Sequence, residues 1–119
     1  MLYVAAALLV GIGLAHSYLG ERYLLIRLFR RDNLPKLFGG DDFTKRTLRF
    51  AWHVTSVAWF GFAAILVSLQ SGRVSASTIA MIIGVTFLIH FLVSFFGGRG
   101  KHLSWPVFLL VGLLAVVGV

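Results

Sequence analysis

The sequence predicts an all-α integral membrane protein, a bundle of four antiparallel transmembrane helices that run up and down. It is 59% hydrophobic and 13% charged, whereas a soluble domain carries about 25% charged residues. Four apolar stretches, at about 2–19, 50–70, 77–96 and 103–119, approach or reach the length that crosses a bilayer. The charged residues fall almost entirely between these stretches. We therefore expect residues 1–119 to form one membrane domain.

The first span, 2–19, is apolar except for His16, Ser17 and small residues. Its start, Met1-Leu2-Tyr3, carries no basic residue, so we expect a retained span rather than a cleaved signal peptide. Ala7, Gly11 and Ala15 recur every four residues, a pattern along which another helix can approach closely.

An extended cytoplasmic hairpin is predicted between the first two spans. No helix-breaking residue precedes Arg31, so the first helix should continue beyond Gly20 into the headgroup region. Pro35 then ends it, because the residue before proline avoids the helical conformation. Asp41 or Asp42 can cap the helix that leads into the second span.

Serines and glycines define the ends of the last two spans. Ser75 or Ser77 can cap the third span, and the glycines of 97–101 supply a loop that needs positive φ. Ser104 is predicted to cap the fourth span, with Pro106 in the first turn, where its missing N–H costs nothing.

The distribution of basic residues predicts the orientation. Eight of the eleven Lys and Arg lie between Arg22 and Arg49, and Arg99 and Lys101 lie in the third loop. Only Arg73 is on the other side. The positive-inside rule places the basic loops in the cytoplasm and both termini on the opposite, outer side of the membrane. The net charge of +7 is thus expected to meet anionic lipid headgroups, and nucleic acid is not expected as a partner.

Histidines gather near the cytoplasmic face in this topology. His16, His53 and His90 lie roughly 6, 6 and 10 Å inside it, at 1.5 Å per helical residue. His102 lies in the adjacent loop, and Glu21 lies just outside the layer. An ionisable side chain inside a membrane span needs polar partners and is a candidate functional residue.

Polar and aromatic neighbours accompany two of these histidines. Thr86, His90 and Ser94 are spaced i, i+4, i+8 and should face the protein interior. Arg49, His53 and Ser56 share one face of the second span in the same way. The predicted supporting residues are Arg49, Trp52, Ser56, Thr86 and Ser94.

This layer predicts a metal ion or haem b site, with a role in electron transfer. Zn, Fe or Cu would be held by His16, His53 and His90, with His102 and Glu21 as further ligands. Haem b would take two facing histidines, His53 with either His90 or His16, as axial ligands. Cysteine is absent from the sequence, which excludes thiolate ligands and disulfides. Glu21 has an alternative role, which is to pair with Arg49.

Three other interpretations stay open at this point. The histidines can simply donate to carbonyl or hydroxyl groups of neighbouring helices. They can also line a proton, ion or small-solute path, in which case one four-span unit is small and a homo-oligomeric channel or transporter is expected. The third possibility is a structural subunit of a membrane complex. The sequence assigns no catalytic residues.

The motifs H-S-x-L-G-E-R at 16–22 and R-F-A-W-H-x-T-S at 49–56 resemble those of a group of uncharacterised small bacterial four-span inner-membrane proteins. The resemblance covers the first two spans and the loop between them, and it implies an inner-membrane location. It implies no activity. The residues that it singles out are His16, Glu21, Arg49, Trp52 and His53.

Overall fold

The computed structural model describes residues 1–118, which are helical over most of their length and contain no strand. The helices are α1 (Leu2–Gly20), α2 (Ile26–Leu28), α3 (Asp42–Gln70), α4 (Ala76–Gly97) and α5 (Ser104–Val117). A π-helical turn, Glu21–Leu25, joins α1 to α2 without a break. The first helix thus continues beyond Gly20, as predicted, but through a wider turn that the sequence did not indicate.

Three of the helical segments are long and apolar enough to cross a membrane: Leu2–Leu28, Asp42–Gln70 and Ala76–Gly97. The fourth, α5, is apolar but has only 14 residues. At 1.5 Å per residue it is about 21 Å long, shorter than a hydrocarbon core of about 30 Å. Val119, the last residue of the predicted fourth span, lies outside the described residues.

The helix caps agree with the sequence in part. Ser75 caps α4, where its hydroxyl accepts from the Thr78 N–H at 3.0 Å. Asp41 precedes α3 as predicted, but its carboxylate pairs with Lys45 Nζ at 3.1 Å instead of capping.

The prediction that Ser104 caps α5 is wrong. Ser104 is already the first helical residue, and its N–H donates to His102 Nδ1 at 3.1 Å. The imidazole two residues earlier therefore supplies the cap. In the preceding loop the positive φ falls on Gly100, as expected for a glycine, and also on Arg99.

The helices form a row. Among the described residues, α1 packs on α3, α3 on α4 and α4 on α5, and no other pair of these four helices packs together. The molecule measures 51 × 31 × 14 Å along its principal axes. This arrangement differs from a closed bundle, and the buried hydrophobic residues among those described are few: Ala6, Leu25, Phe50 and Ala63.

Glycines set the close approaches within the row. A side chain at Gly13 would meet the Phe60 ring, and one at Gly20 would overlap the Trp52 indole. Along this contact the residue numbers rise in α1 as they fall in α3, since Gly13 lies against Phe60 and Gly20 against Trp52. Between α4 and α5, Gly84 lies against Val116, where a Cβ would approach the side chain to 2.6 Å.

Candidate functional site

A continuous line of polar side chains joins α1 and α3 at the end that carries the basic loop. The Ser56 and Ser17 hydroxyls are 2.6 Å apart, and Ser17 Oγ lies 3.0 Å from His53 Nδ1. His53 Nε2 lies 3.4 Å from Glu21 Oε2. The other Glu21 oxygen pairs with Arg49 Nε at 2.8 Å. We call these five residues the polar line.

The sequence spacing explains why these side chains meet. Ser17 and Glu21 are four residues apart at the end of α1 and its π-helical turn, and Arg49, His53 and Ser56 lie on one face of α3. The predicted sharing of a face by these three α3 residues, and the pairing of Glu21 with Arg49, are both confirmed.

The polar line has a defined hydrogen-bond direction when His53 is neutral. A carboxylate only accepts, so His53 Nε2 donates to Glu21. His53 Nδ1 then accepts from Ser17, whose oxygen accepts from the buried Ser56 hydroxyl.

His16 lies beside the polar line but is not part of it. Its Nε2 donates to the Trp52 carbonyl at 3.2 Å, and the Trp52 indole N–H donates to the His16 carbonyl at 2.8 Å. The two rings stack with centroids 4.3 Å apart and planes 8° apart. Gly20 leaves room for the indole. Trp52, predicted as a supporting residue, is therefore a direct partner of His16.

His90 and His102 lie in separate surroundings. His90 is only 5% exposed, and its Nδ1 donates to the Thr86 carbonyl of the same helix at 2.8 Å. Ser94 is fully buried, as predicted for this stripe, and its hydroxyl donates to the Phe91 carbonyl. His102 packs against the Phe43 and Phe50 rings.

The four histidines do not converge. Within residues 1–118, no group of three His, Asp or Glu side chains is arranged to hold a metal ion. The metal or haem b site is therefore still a prediction. An absorption spectrum and metal analysis of the purified protein test it.

A pocket of about 530 Å³ opens beside the polar line, between the basic loop and the α3–α4 pair. Its apolar walls include Ile26, Phe29, Phe50 and Val93. His53 lines its inner side. The rest of the lining is Gly97, one carboxylate and four cations: Asp42, Arg30, Lys45, Arg46 and Arg49. We call this the basic pocket.

Three of the four cations are held by carboxylates. Arg46 Nε binds Asp42 at 2.9 Å, and Arg49 Nε pairs with Glu21 at 2.8 Å. The Arg49 guanidinium also lies 4.9 Å from the centre of the Phe29 ring. Because both arginines are held through Nε, their terminal nitrogens remain for another acceptor. Arg30 makes no ion pair with a described residue, so the pocket keeps an excess of positive charge.

Sequence reasoning missed Arg30, Lys45 and Arg46 as site residues. The signal was present in the eight basic residues between Arg22 and Arg49, which were interpreted only as a topology determinant. Which of them would share a pocket depends on the loop that follows α2. That loop is folded by the two Leu37–Gly40 backbone hydrogen bonds, at 2.8 and 3.4 Å.

His53 also borders a second, shallower pocket of about 360 Å³, on the α1 side. Ser17, Glu21 and Arg22 line this pocket with Ile26. The Glu21–His53 pair therefore lies between two openings, one strongly basic and one at the outer surface of the row.

Comparison of the chain with known protein families, curated proteins and solved structures gives no match. The resemblance to small bacterial four-span proteins thus stays a prediction.

Proposed function

We propose that this protein is a multi-span inner-membrane protein that binds an anionic amphiphile, a molecule with a phosphate-bearing head and an apolar tail. The observation that carries the proposal is the composition of the basic pocket, where four cations and His53 border apolar walls. Binding of a water-soluble anion would require the cations but not the apolar walls. The apolar walls favour a ligand that is also lipid-soluble.

The chemistry of the cations favours a phosphate headgroup. Guanidinium groups bind phosphate oxygens with paired, charge-assisted hydrogen bonds. Arg46 and Arg49 are already positioned by Asp42 and Glu21, so less side-chain entropy is lost when the ligand binds. The headgroup would sit among the arginines, with its tail along Phe29, Phe50 and the neighbouring aliphatic side chains.

The proposed topology puts the basic pocket at the cytoplasmic headgroup layer. In it, four antiparallel spans run up and down, the 20–49 hairpin is cytoplasmic and both termini are periplasmic. Ten of the eleven basic residues support this orientation. In this topology α5 is shorter than the hydrocarbon core, and local thinning of the bilayer or burial against other subunits would accommodate the difference.

Lipid titration tests the proposal directly. Purified protein in a neutral detergent is titrated with phosphatidic acid or phosphatidylglycerol, and bound lipid is measured by native mass spectrometry. We expect saturable binding of the anionic lipids in preference to phosphatidylcholine. The double substitution Arg30→Gln/Arg46→Gln should weaken it about tenfold or more, because charged hydrogen bonds contribute about 1.5–3 kcal/mol each.

A matched variant separates the pocket from general basicity. Arg31→Gln/Arg73→Gln removes the same charge from positions that do not line the basic pocket, so we expect its lipid affinity to stay within about twofold of wild type. Equal weakening in both double variants would mean that net charge alone attracts the lipid. That result would contradict a specific site.

A homo-oligomer, or a place in a larger membrane complex, stays a separate proposal. The open row supports it, because its two broad faces carry many exposed apolar side chains. The mass of the protein extracted in polymer-bounded lipid discs distinguishes one copy from several. A particle with a single copy and no second protein counts against both forms of assembly.

A further inference from the structure

A second potential ligand site lies deeper in the membrane, where α3 faces α4. A cleft of about 130 Å³ is lined by apolar side chains of both helices, among them Phe62, Ile65, Ile83 and Phe87. His90 is also part of its lining. A neighbouring hollow of about 370 Å³ shares Gly61, Ile82 and Thr86 with the cleft and lies at the same height along the two helices.

The hydrogen bonding of His90 fixes which ring nitrogen is left for a ligand. A backbone carbonyl only accepts, so the bond to the Thr86 carbonyl requires a hydrogen on Nδ1. In the neutral ring, Nε2 is then a pure acceptor. Among the described residues it has no hydrogen-bond partner. The His90 side chain is only 5% exposed, but Nε2 is not sealed inside the protein, since Thr47 Oγ1 is the one fully buried side-chain polar atom without a partner among these residues.

An unpartnered acceptor in an apolar cleft selects for a donor. A polar atom that faces an apolar, water-free surrounding without a partner costs free energy, and a donor from the ligand removes that cost. The only other side-chain polar group of the cleft, the Thr86 hydroxyl, already donates to the Ile82 carbonyl at 2.7 Å. Its free lone pairs also accept, so the side chains of the cleft offer acceptors and no donor.

The cleft therefore differs in chemistry from the basic pocket. It has no cation in its lining, and its acceptors would repel a phosphate or a carboxylate. The Phe87 ring, 4.9 Å from the His90 ring between centroids, offers an aromatic wall. The matching ligand is neutral, lipid-soluble and carries a hydroxyl group.

We propose that the α3–α4 cleft binds a neutral lipophilic molecule through a hydroxyl group that donates to His90 Nε2. Two sources in a membrane have this chemistry: a reduced quinol headgroup and a long-chain alcohol. An oxidised quinone has only acceptor oxygens and binds more weakly. This site is independent of the basic pocket and stands whether or not that pocket binds an anion.

A pair of probes that differ only at the hydroxyl tests the proposal. A fluorinated 4-alkylphenol and its methyl ether are titrated against the wild-type protein in detergent, and binding is followed by ¹⁹F NMR. The methyl ether has the same apolar body but no donor. We expect the phenol to bind about tenfold more tightly. Equal affinity of the two probes, or no saturable binding of the phenol, overturns the proposal.

Substitution of His90 tests whether its Nε2 is the acceptor that makes the phenol bind more tightly than the methyl ether. In His90→Leu the phenol should lose its advantage over the methyl ether, whereas His102→Leu, a matched loss of a histidine outside the cleft, should keep it. An advantage that persists in a folded His90→Leu protein overturns the assignment. If His90→Leu does not fold, Ile83→Phe serves instead, because it narrows the cleft and leaves His90 unchanged. Undiminished phenol binding by Ile83→Phe contradicts the site.

A second comparison separates the two sources. A short-tailed benzoquinol, its quinone and dodecanol are titrated in the same way. Tighter binding of the quinol than of both other molecules assigns the cleft to quinols. Tighter binding of dodecanol than of the quinol assigns it to aliphatic alcohols. A quinone that binds as tightly as the quinol contradicts a hydrogen bond to His90 Nε2.

Discussion

The α1–α3 seam and the α4–α5 seam are both close helix contacts, yet they use polar groups in opposite ways. Across α1–α3, side chains of one helix bond to groups of the other, through the His16–Trp52 exchange and the Ser17–Ser56 pair. On α4, by contrast, His90, whose ring contacts Phe108 of α5, bonds to its own backbone. The approach to α5 there depends on Gly84 and on Gly112, where a Cβ would crowd Leu88.

This difference separates two ways of joining helices in lipid. Apolar burial adds little there, so association depends on tight packing and interhelical hydrogen bonds. Cross-helix bonds fix both the register and the rotation of α1 against α3. Glycine packing brings α4 and α5 together without using their polar side chains, and this leaves His90 Nε2 available for a ligand.

Gly20→Leu should have the largest effect on stability. A side chain at this position would overlap the Trp52 indole, and displacing the indole breaks its bond to the His16 carbonyl. We expect a loss of about 3 kcal/mol in the free energy of unfolding, measured by chemical denaturation in detergent. Gly11→Leu is the matched control, because a Cβ at Gly11 meets nothing within 4 Å. Similar losses in the two variants would show that the Trp52 contact is not the cause.

Ser17→Ala should have an intermediate effect. It removes the partner of the Ser56 hydroxyl, which is 2% exposed, and also that of His53 Nδ1. We expect a loss of about 2 kcal/mol, since a buried polar group without a partner costs about 1–3 kcal/mol. The double variant Ser17→Ala/Ser56→Ala should be less destabilised than the sum of the two single variants. Strict additivity would contradict a direct bond between the serines.

Ser94→Ala on α4 should have the smallest effect. Ser94 is buried, but its hydroxyl bonds to the Phe91 carbonyl of its own helix. Its removal leaves no donor of another helix unpaired, so we expect a loss of about 0.5 kcal/mol. The same denaturation measurement checks it. A loss as large as that of Ser17→Ala would remove the distinction between the two seams.

The sequence predicted the helices well, because their signal is local. Apolar length identified the first three spans, and the cap at Ser75 followed from residue type. The arrangement of the helices in a row was not predictable, because apolar composition does not state which helix contacts which. The His102 cap was missed because a histidine two residues before a helix is not a recognised capping pattern.

The candidate site was predictable where its residues lie at the same height along two helices or on the same face of one helix. Arg49 and Glu21 lie at the same level, and i, i+4 spacing places His53 beside Arg49. The direction in which each other side chain points was not predictable, because it depends on the rotation of its helix. An uncertainty of one residue turns a side chain by about 100°. The predicted histidine layer concerns depth alone, and the histidines face different neighbours. His16 faces Trp52, and His90 faces its own helix and the cleft.

The π-helical turn Glu21–Leu25 has a consequence for chain length. A π-helical turn is equivalent to one residue inserted into an α-helix, and one residue corresponds to about 100° of rotation. The wider turn absorbs this extra residue, so removing one amino acid within Glu21–Leu25 would restore a regular helix and leave both Leu2–Gly20 and the Arg27–Arg30 segment facing as they do now. The same deletion inside Leu2–Gly20 would instead turn one part of the helix against the other by about 100°.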